Sequence, residues 1–208
     1  MIKGEIEIRK TARYFLSAES KGKFSKVCFA LHGYGQLASF FCKKLENKAL
    51  QDTLFICPEG LHRFYLKDSS GRVGSSWMTK EDRESEIEDY ISYLNQIYRM
   101  IKDLNPEVKI IAFGFSQGSS TISRWIAQDN PDIICDRLIL WSGSFPMDVI
   151  EVMKKHDNIC NYLDMPLQHG SSKVLKAMRR GIDREKTSNT LWVLCTCRPS
   201  WHWYNTWG

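Results

Sequence analysis

Gly114-Phe115-Ser116-Gln117-Gly118 is the stretch of this sequence best equipped for chemistry. A serine hydroxyl acts as a nucleophile when a sharp strand-to-helix turn lifts it above a sheet and a base can take its proton. The context is right. The apolar run Val108–Phe113 comes before the pentapeptide and a helical stretch follows it directly. Such a turn strains the serine backbone and crowds both flanking positions, which explains glycine at 114 and 118. The start of the following helix also aims backbone N–H groups at any negative charge that develops there.

A second pattern, His32-Gly33-Tyr34-Gly35-Gln36, directly follows the apolar run Val27–Leu31. Glycines here let the backbone approach a carbonyl oxygen, which is what the second half of an oxyanion hole requires. Each pattern alone is also what a chance glycine-rich turn looks like. Together, at this separation and each after an apolar strand, they read as a nucleophile and its oxyanion loop. Chemistry of this kind calls for no cofactor. No metal site is expected either. Cys195, Cys197 and His202 have ligand side chains, but Cys-x-Cys with one histidine is a poor spacing for zinc.

The elements that must position these residues can be read from periodicity. Residues 5–9 alternate, with Ile6 and Ile8 on one face, and are expected as a strand paired with residues 13–15. Strands are expected at 27–31, 53–57, 108–113 and 137–141, and helices at about 37–48, 81–103 and 117–128. In the second helix Ile87, Ile91, Leu94, Tyr98 and Ile101 share a face. Glu81, Asp82, Glu84 and Glu86 at its start, with Arg99 and Lys102 at its end, complement its dipole. In the third helix Ile122, Trp125 and Ile126 point inward. Residues 59–77 read as loop. Strands and helices alternating from 27 to 141 imply an α/β architecture, a mostly parallel sheet with helices on both faces.

Composition narrows the class. The 208 residues are 43% hydrophobic and 25% charged, which is ordinary for a globular chain of one domain or two small ones. A net charge of +5 without a long basic block does not indicate a nucleic-acid partner. Seven irregularly spaced cysteines fit a reducing compartment better than a disulfide framework. The charged start is unlike a signal peptide, and no apolar run approaches the ~20 residues that span a membrane. The expected location is the cytoplasm.

Residues 1 to about 146 resemble the phospholipase/carboxylesterase and acyl-protein-thioesterase branch of the α/β-hydrolases. The resemblance rests on His32-Gly33-Tyr34-Gly35, Cys57-Pro58-Glu59-Gly60, Ser75-Ser76-Trp77, Gly114-Phe115-Ser116-Gln117-Gly118 and Leu140-Trp141-Ser142-Gly143. It implies that Ser116 attacks an ester or thioester carbonyl of a small molecule, with the backbone N–H groups of Tyr34 and Gln117 as the oxyanion hole. It also implies that Trp77 lies near the acyl pocket; the alternative is a core tryptophan beneath a loop.

The family's triad runs serine, acid, histidine, so both partners must follow Ser116. By spacing, Asp164 and His202 stand near the expected places. Their contexts differ from the family's. Asp164 lies in Asn161-Tyr162-Leu163-Asp164-Met165-Pro166 rather than in a Gly-x-x-Asp turn, and His202 lies between two tryptophans rather than after a glycine. His169 and His156 are the other histidines that could serve as base.

Residues from about 145 to 187 resemble an internal piece of the radical-SAM methylthiotransferases, which modify tRNA or a ribosomal protein. Pro166-Leu167-Gln168-His169-Gly170 and Leu175-Lys176-Ala177-Met178-Arg179-Arg180-Gly181 carry this resemblance. The cluster-binding Cys-x-x-x-Cys-x-x-Cys of that family is absent, which rules out radical chemistry. Residues 188–208 match neither family, and four of the seven tryptophans fall there, as in out-of-frame translation. The expected organisation is a truncated hydrolase domain over 1–146 whose last strands are missing or replaced, a methylthiotransferase-like fragment over 147–187, and an unassigned tail. The reading is a chimera joined near Phe145-Pro146. As a function, it is a serine hydrolase impaired for want of a recognisable acid and histidine. The alternatives are a working esterase whose tail supplies the base, and a non-catalytic binding module.

Overall fold

Alternation along three short apolar runs builds the two faces of the central sheet. In β2, Lys26–Leu31, the odd positions Val27, Phe29 and Leu31 enter one core cluster and the even positions Cys28 and Ala30 enter the other. In β3, Thr53–Pro58, Leu54 and Ile56 join the first cluster, and Phe55 and Cys57 join the second. Residues buried on both faces make near-continuous apolar runs, as parallel sheets covered by helices require. The computed structural model describes residues 2–18, 24–45, 52–128 and 130–143.

The main sheet has five strands in the order β1-β3-β2-β6-β7, with β1 at Tyr14–Leu16, β6 at Lys109–Phe115 and β7 at Arg137–Trp141. β2 runs parallel to both β3 and β6, and β6 runs parallel to β7. β1 alone is antiparallel, pairing Phe15 with Cys57. Helix α1, Ala38–Leu45, covers one face through Ala38, Phe41 and Cys42. Helices α2, Arg83–Leu104, and α3, Gln117–Ala127, cover the other through Leu94, Tyr98, Ile122 and Trp125. Helices on both faces of a mostly parallel sheet are the expected arrangement, and Ile122, Trp125 and Ile126 are all buried as their spacing predicts.

Two expectations need correction. Residues 5–9 form no strand, Ile6 and Ile8 are 88% and 80% exposed, and the partner of β1 is β3. Alternation marks a segment able to pair, but a strand exists only where an edge accepts it. Residues 59–77 are not all loop. They contain an antiparallel hairpin of β4, His62–Tyr65, and β5, Val73–Ser76. At four residues each these strands are too short to show periodicity, and they are held partly by a bridge from Ser75 to Gln36. The expected face of α2 does turn inward: Leu94, Tyr98 and Ile101 are buried, Ile87 and Ile91 pack half-buried against the same core, and Tyr90, Tyr93 and Ile97 join them.

Candidate active site

Ser116 lies between β6 and α3 with φ 54° and ψ −117°, a conformation that non-glycine residues rarely adopt. Surrounding structure holds it there. Its N–H donates to the Trp141 carbonyl at 2.9 Å, and its carbonyl accepts from the Ser119 N–H at 3.0 Å. A Cβ on Gly114 would sit 2.6 Å from the Ser119 Cα. One on Gly118 would collide with the Leu31 carbonyl oxygen and lie 2.7 Å from that of His32. Both glycines are therefore imposed by close backbone approach, as the turn requires. The Ser116 hydroxyl has no hydrogen-bond partner among the described residues.

The loop after β2 lies against this serine. A Cβ on Gly33 would be 3.1 Å from the Ser116 Cβ. Within the loop, the Gly33 N–H donates to Gln36 Oε1 at 2.9 Å, and the Gly35 N–H donates to the Ser75 carbonyl at 2.9 Å. That leaves Tyr34 as the loop position whose N–H has no acceptor among the described residues. Gln117 is the first residue of α3, so its N–H has no intrahelical acceptor either. The Tyr34 ring is exposed and packs against Phe64 of β4, with centroids 5.2 Å apart.

His32 is a support of this loop and is unavailable as a base. It is fully buried, its Nδ1 lies 2.8 Å from the Gly33 carbonyl, and its Nε2 accepts the Gly60 N–H at 3.0 Å with Ser75 Oγ at 3.1 Å. That network assigns the proton to Nδ1 and keeps the ring neutral. Burial, above all, pushes its pKa below 6.5, against smaller opposing effects of the Gly33 carbonyl and Glu59.

Trp77 is packed into the core of the described residues. It is fully buried, its indole N–H donates to the His32 carbonyl at 2.9 Å, and its ring packs on the His32 imidazole at 5.1 Å. Through these contacts it supports the loop that carries His32.

Two supports were not legible in the sequence. The Gln117 side chain ties α3 to the end of β5, accepting from the Trp77 N–H at 3.2 Å and donating to the Met78 carbonyl at 2.8 Å. Glu59 is buried and receives the Arg13 Nε at 2.6 Å and the N–H of Ala38, the first residue of α1, at 3.2 Å. A buried carboxylate needs such partners. The only advance signal was its place in Cys57-Pro58-Glu59-Gly60.

Asp164, His202, His169 and His156, and the Cys195, Cys197 and His202 grouping, lie outside the described residues. Among the described residues no cluster of metal-ligand side chains occurs. No helix among them is long and apolar enough to cross a membrane. The other described histidine, His62, has its Nε2 3.5 Å from a carboxylate oxygen of Glu86 in α2.

Comparison with known proteins gives two kinds of match. A 51-residue stretch is 59% identical to the ribosomal protein uS12 methylthiotransferase RimO of Cytophaga hutchinsonii, over 24% of this chain and 12% of that protein. The RimO of Christiangramia forsetii is 62% identical over 47 residues, 23% of this chain and 10% of its own. The chain thus spans about a tenth of the length of these curated relatives. Among solved structures, Zea mays acyl-protein thioesterase 2 superposes with a TM-score of 0.48 at 16% identity, over 71% of this chain and 70% of that one. A Mesorhizobium loti carboxylesterase gives 0.47 at 18% identity, over 64% and 61%. The profile of the phospholipase/carboxylesterase family matches residues 14–199, a range that runs past residue 146 and takes in most of the chain. With its mostly parallel sheet, helices on both faces and a glycine-flanked serine at the strand-to-helix turn, this chain has the α/β-hydrolase fold and belongs to the phospholipase/carboxylesterase family.

Proposed function

We propose that this chain is a serine hydrolase of esters or thioesters, with Ser116 as its nucleophile and its turnover impaired. The strained backbone of Ser116, held between two glycines whose substitution would clash with backbone, carries this reading. Ser116 Oγ attacks the carbonyl carbon, and the oxygen takes the negative charge opposite the N–H groups of Tyr34 and Gln117. Collapse expels the alcohol or thiol and leaves an acyl-serine for water to cleave. Donors aimed at the developing charge supply most of the catalysis of such a site. His32, Trp77 and Gln117 hold those donors in place through the contacts above.

The proton needs a base, and His32 is engaged elsewhere. Asp164 and His202 are the candidates by spacing, with His169 and His156 as alternates. The mismatch of their sequence contexts supports an impaired site. Loss of the triad histidine costs on the order of 10⁶ in turnover, while the oxyanion hole and binding alone leave roughly 10³–10⁴ over water. We place the methylthiotransferase-like fragment at 147–187. The short, high-identity RimO matches support an origin in a fused or misjoined reading frame. Buried cysteines at 28, 42, 57 and 135 that form no disulfide with one another support a reducing, cytoplasmic setting.

Fluorophosphonate labelling of the folded protein, read by intact mass beside Ser116→Ala, tests the reading. Labelling that vanishes in the variant means an activated serine, and the histidines at 202, 169 and 156 become the next substitutions. Absence of labelling means that the serine has lost its base and that this chain is a hydrolase by descent only.

A further inference from the structure

A groove of about 410 Å³ opens between α1 and the β4–β5 hairpin, beyond the oxyanion loop and without Ser116 among its walls. Leu37, Phe41 and Val73 line it, and Phe40 and Leu66 stand on its rim, 64% and 41% exposed. Its two charged lining residues are both cations, Lys44 from α1 and Arg72 from the hairpin, and none is acidic. Neither cation enters an ion pair among the described residues. The walls are preformed. The Leu66 N–H donates to the Arg72 carbonyl at 2.8 Å, which sets the apolar and the cationic residue side by side across the hairpin. Gly35, at φ 73°, brings the loop so close that an added Cβ would lie 3.2 Å from Leu66 Cδ2. Phe41 is fixed from behind by Phe113 and Phe115, at centroid distances of 6.1 and 6.2 Å.

Small-molecule sites are concave, mostly apolar, about 300–1,000 Å³ in volume, and oriented by a few polar groups. This groove meets each condition, and its polar groups carry one sign. We propose that it is a ligand site, separate from Ser116, for a single-chain amphiphile with an apolar arm and a carboxylate end. The arm lies along Leu37, Phe41 and Val73 beneath Phe40 and Leu66. The carboxylate sits between Lys44 and Arg72, whose guanidinium can meet both oxygens at once.

Calorimetric titration of the full chain with sodium decanoate, set beside decan-1-ol, tests this. The expected result is binding of decanoate at least about tenfold tighter than the alcohol. That preference should vanish in the double variant Lys44→Glu/Arg72→Glu, which changes only exposed side chains and whose fold is checked by circular dichroism. Ser116→Ala should bind decanoate unchanged, so the outcome does not depend on whether Ser116 is active. Equal affinity for acid and alcohol, binding insensitive to the charge reversal, or loss of binding in Ser116→Ala would each overturn the proposal.

Discussion

Backbone crowding at Gly118 is the tightest constraint on the serine turn, because the atoms in the way are carbonyl oxygens of the neighbouring strand and cannot rotate aside. Gly118→Ala should therefore cost at least about 2 kcal/mol, within the usual range for overpacking a close-packed site. Gly71→Ala is the control. That glycine has φ 93° but open space around it, so only the backbone penalty of about 1–2 kcal/mol applies. Urea unfolding of both decides the matter: a Gly118 variant no less stable than the Gly71 variant would mean that the turn can relax. His32 makes a second prediction at this scale. Its pKa in the folded state lies below 6.5, so the unfolded chain takes up a proton first as pH falls. The stabilisation is complete above about pH 6.5 and is lost as pH drops towards the folded value, no faster than about 1.4 kcal/mol per pH unit for one proton. In His32→Asn this contribution should disappear, so the difference in stability between wild type and variant should shrink from pH 7.5 to 5.5. A constant difference would show that His32 does not remain neutral in the folded protein.

Between elements, Glu59 joins β3 to the start of α1 and to the segment before β1. It lies beside Arg13 at 2.6 Å and Arg63 at 3.5 Å. The two sides of this pair are unequal. The carboxylate is buried, whereas Arg13 is half exposed and can return to water. Removing Arg13 leaves the buried carboxylate with only Arg63 and the Ala38 N–H among the described residues, while Glu59→Gln removes the charge but turns an amide NH2 towards one of the donors its two oxygens now serve. Arg13→Met should thus cost about 2–4 kcal/mol and Glu59→Gln less, by denaturant midpoint at pH 7. The reverse order would mean that the carboxylate is better hydrated than its burial implies. The α2–α3 contact has a similar dependence on one residue. Asn95 Oδ1 accepts from Trp125 Nε1 at 2.8 Å and from Gln128 Nε2 at 3.0 Å. Asn95→Leu leaves the buried indole N–H without its acceptor and should cost about 1–3 kcal/mol. Replacing Trp125 with Phe in that background should recover part of the loss.

At the scale of the whole molecule, β7 has one neighbour, β6, among the described strands. As the outer strand of the described sheet it is unusual: Ile139 is 37% and Trp141 55% exposed, and the strand interior carries no charge. Natural edges are guarded by charges, proline or bulges, because a bare one pairs with other chains. Ile139→Lys should lower light scattering of the concentrated protein while shifting the unfolding midpoint only slightly. Scattering that does not change would locate self-association elsewhere. Alternating isoleucines in the unpaired N-terminal segment would then be the next place to introduce charge.

Local patterns in the sequence determined the serine turn, the two-faced strands and the inward side of α3. Each depends on residues within one or two turns or strands of each other, and periodicity and glycine placement report such geometry directly. Tertiary structure decided what depends on distant partners. The hairpin at 62–76 is tied by the Ser75–Gln36 bridge to a loop nearly forty residues away, and residues 5–9 stay outside the sheet although β1, at its edge, pairs with β3. Trp77 becomes a buried support because the His32 carbonyl accepts its indole N–H, and Glu59 can be buried because Arg13 and the start of α1 meet it. A tryptophan or a glutamate looks the same in sequence whether water or a partner surrounds it, so burial and pairing were only settled once the chain had folded back on itself.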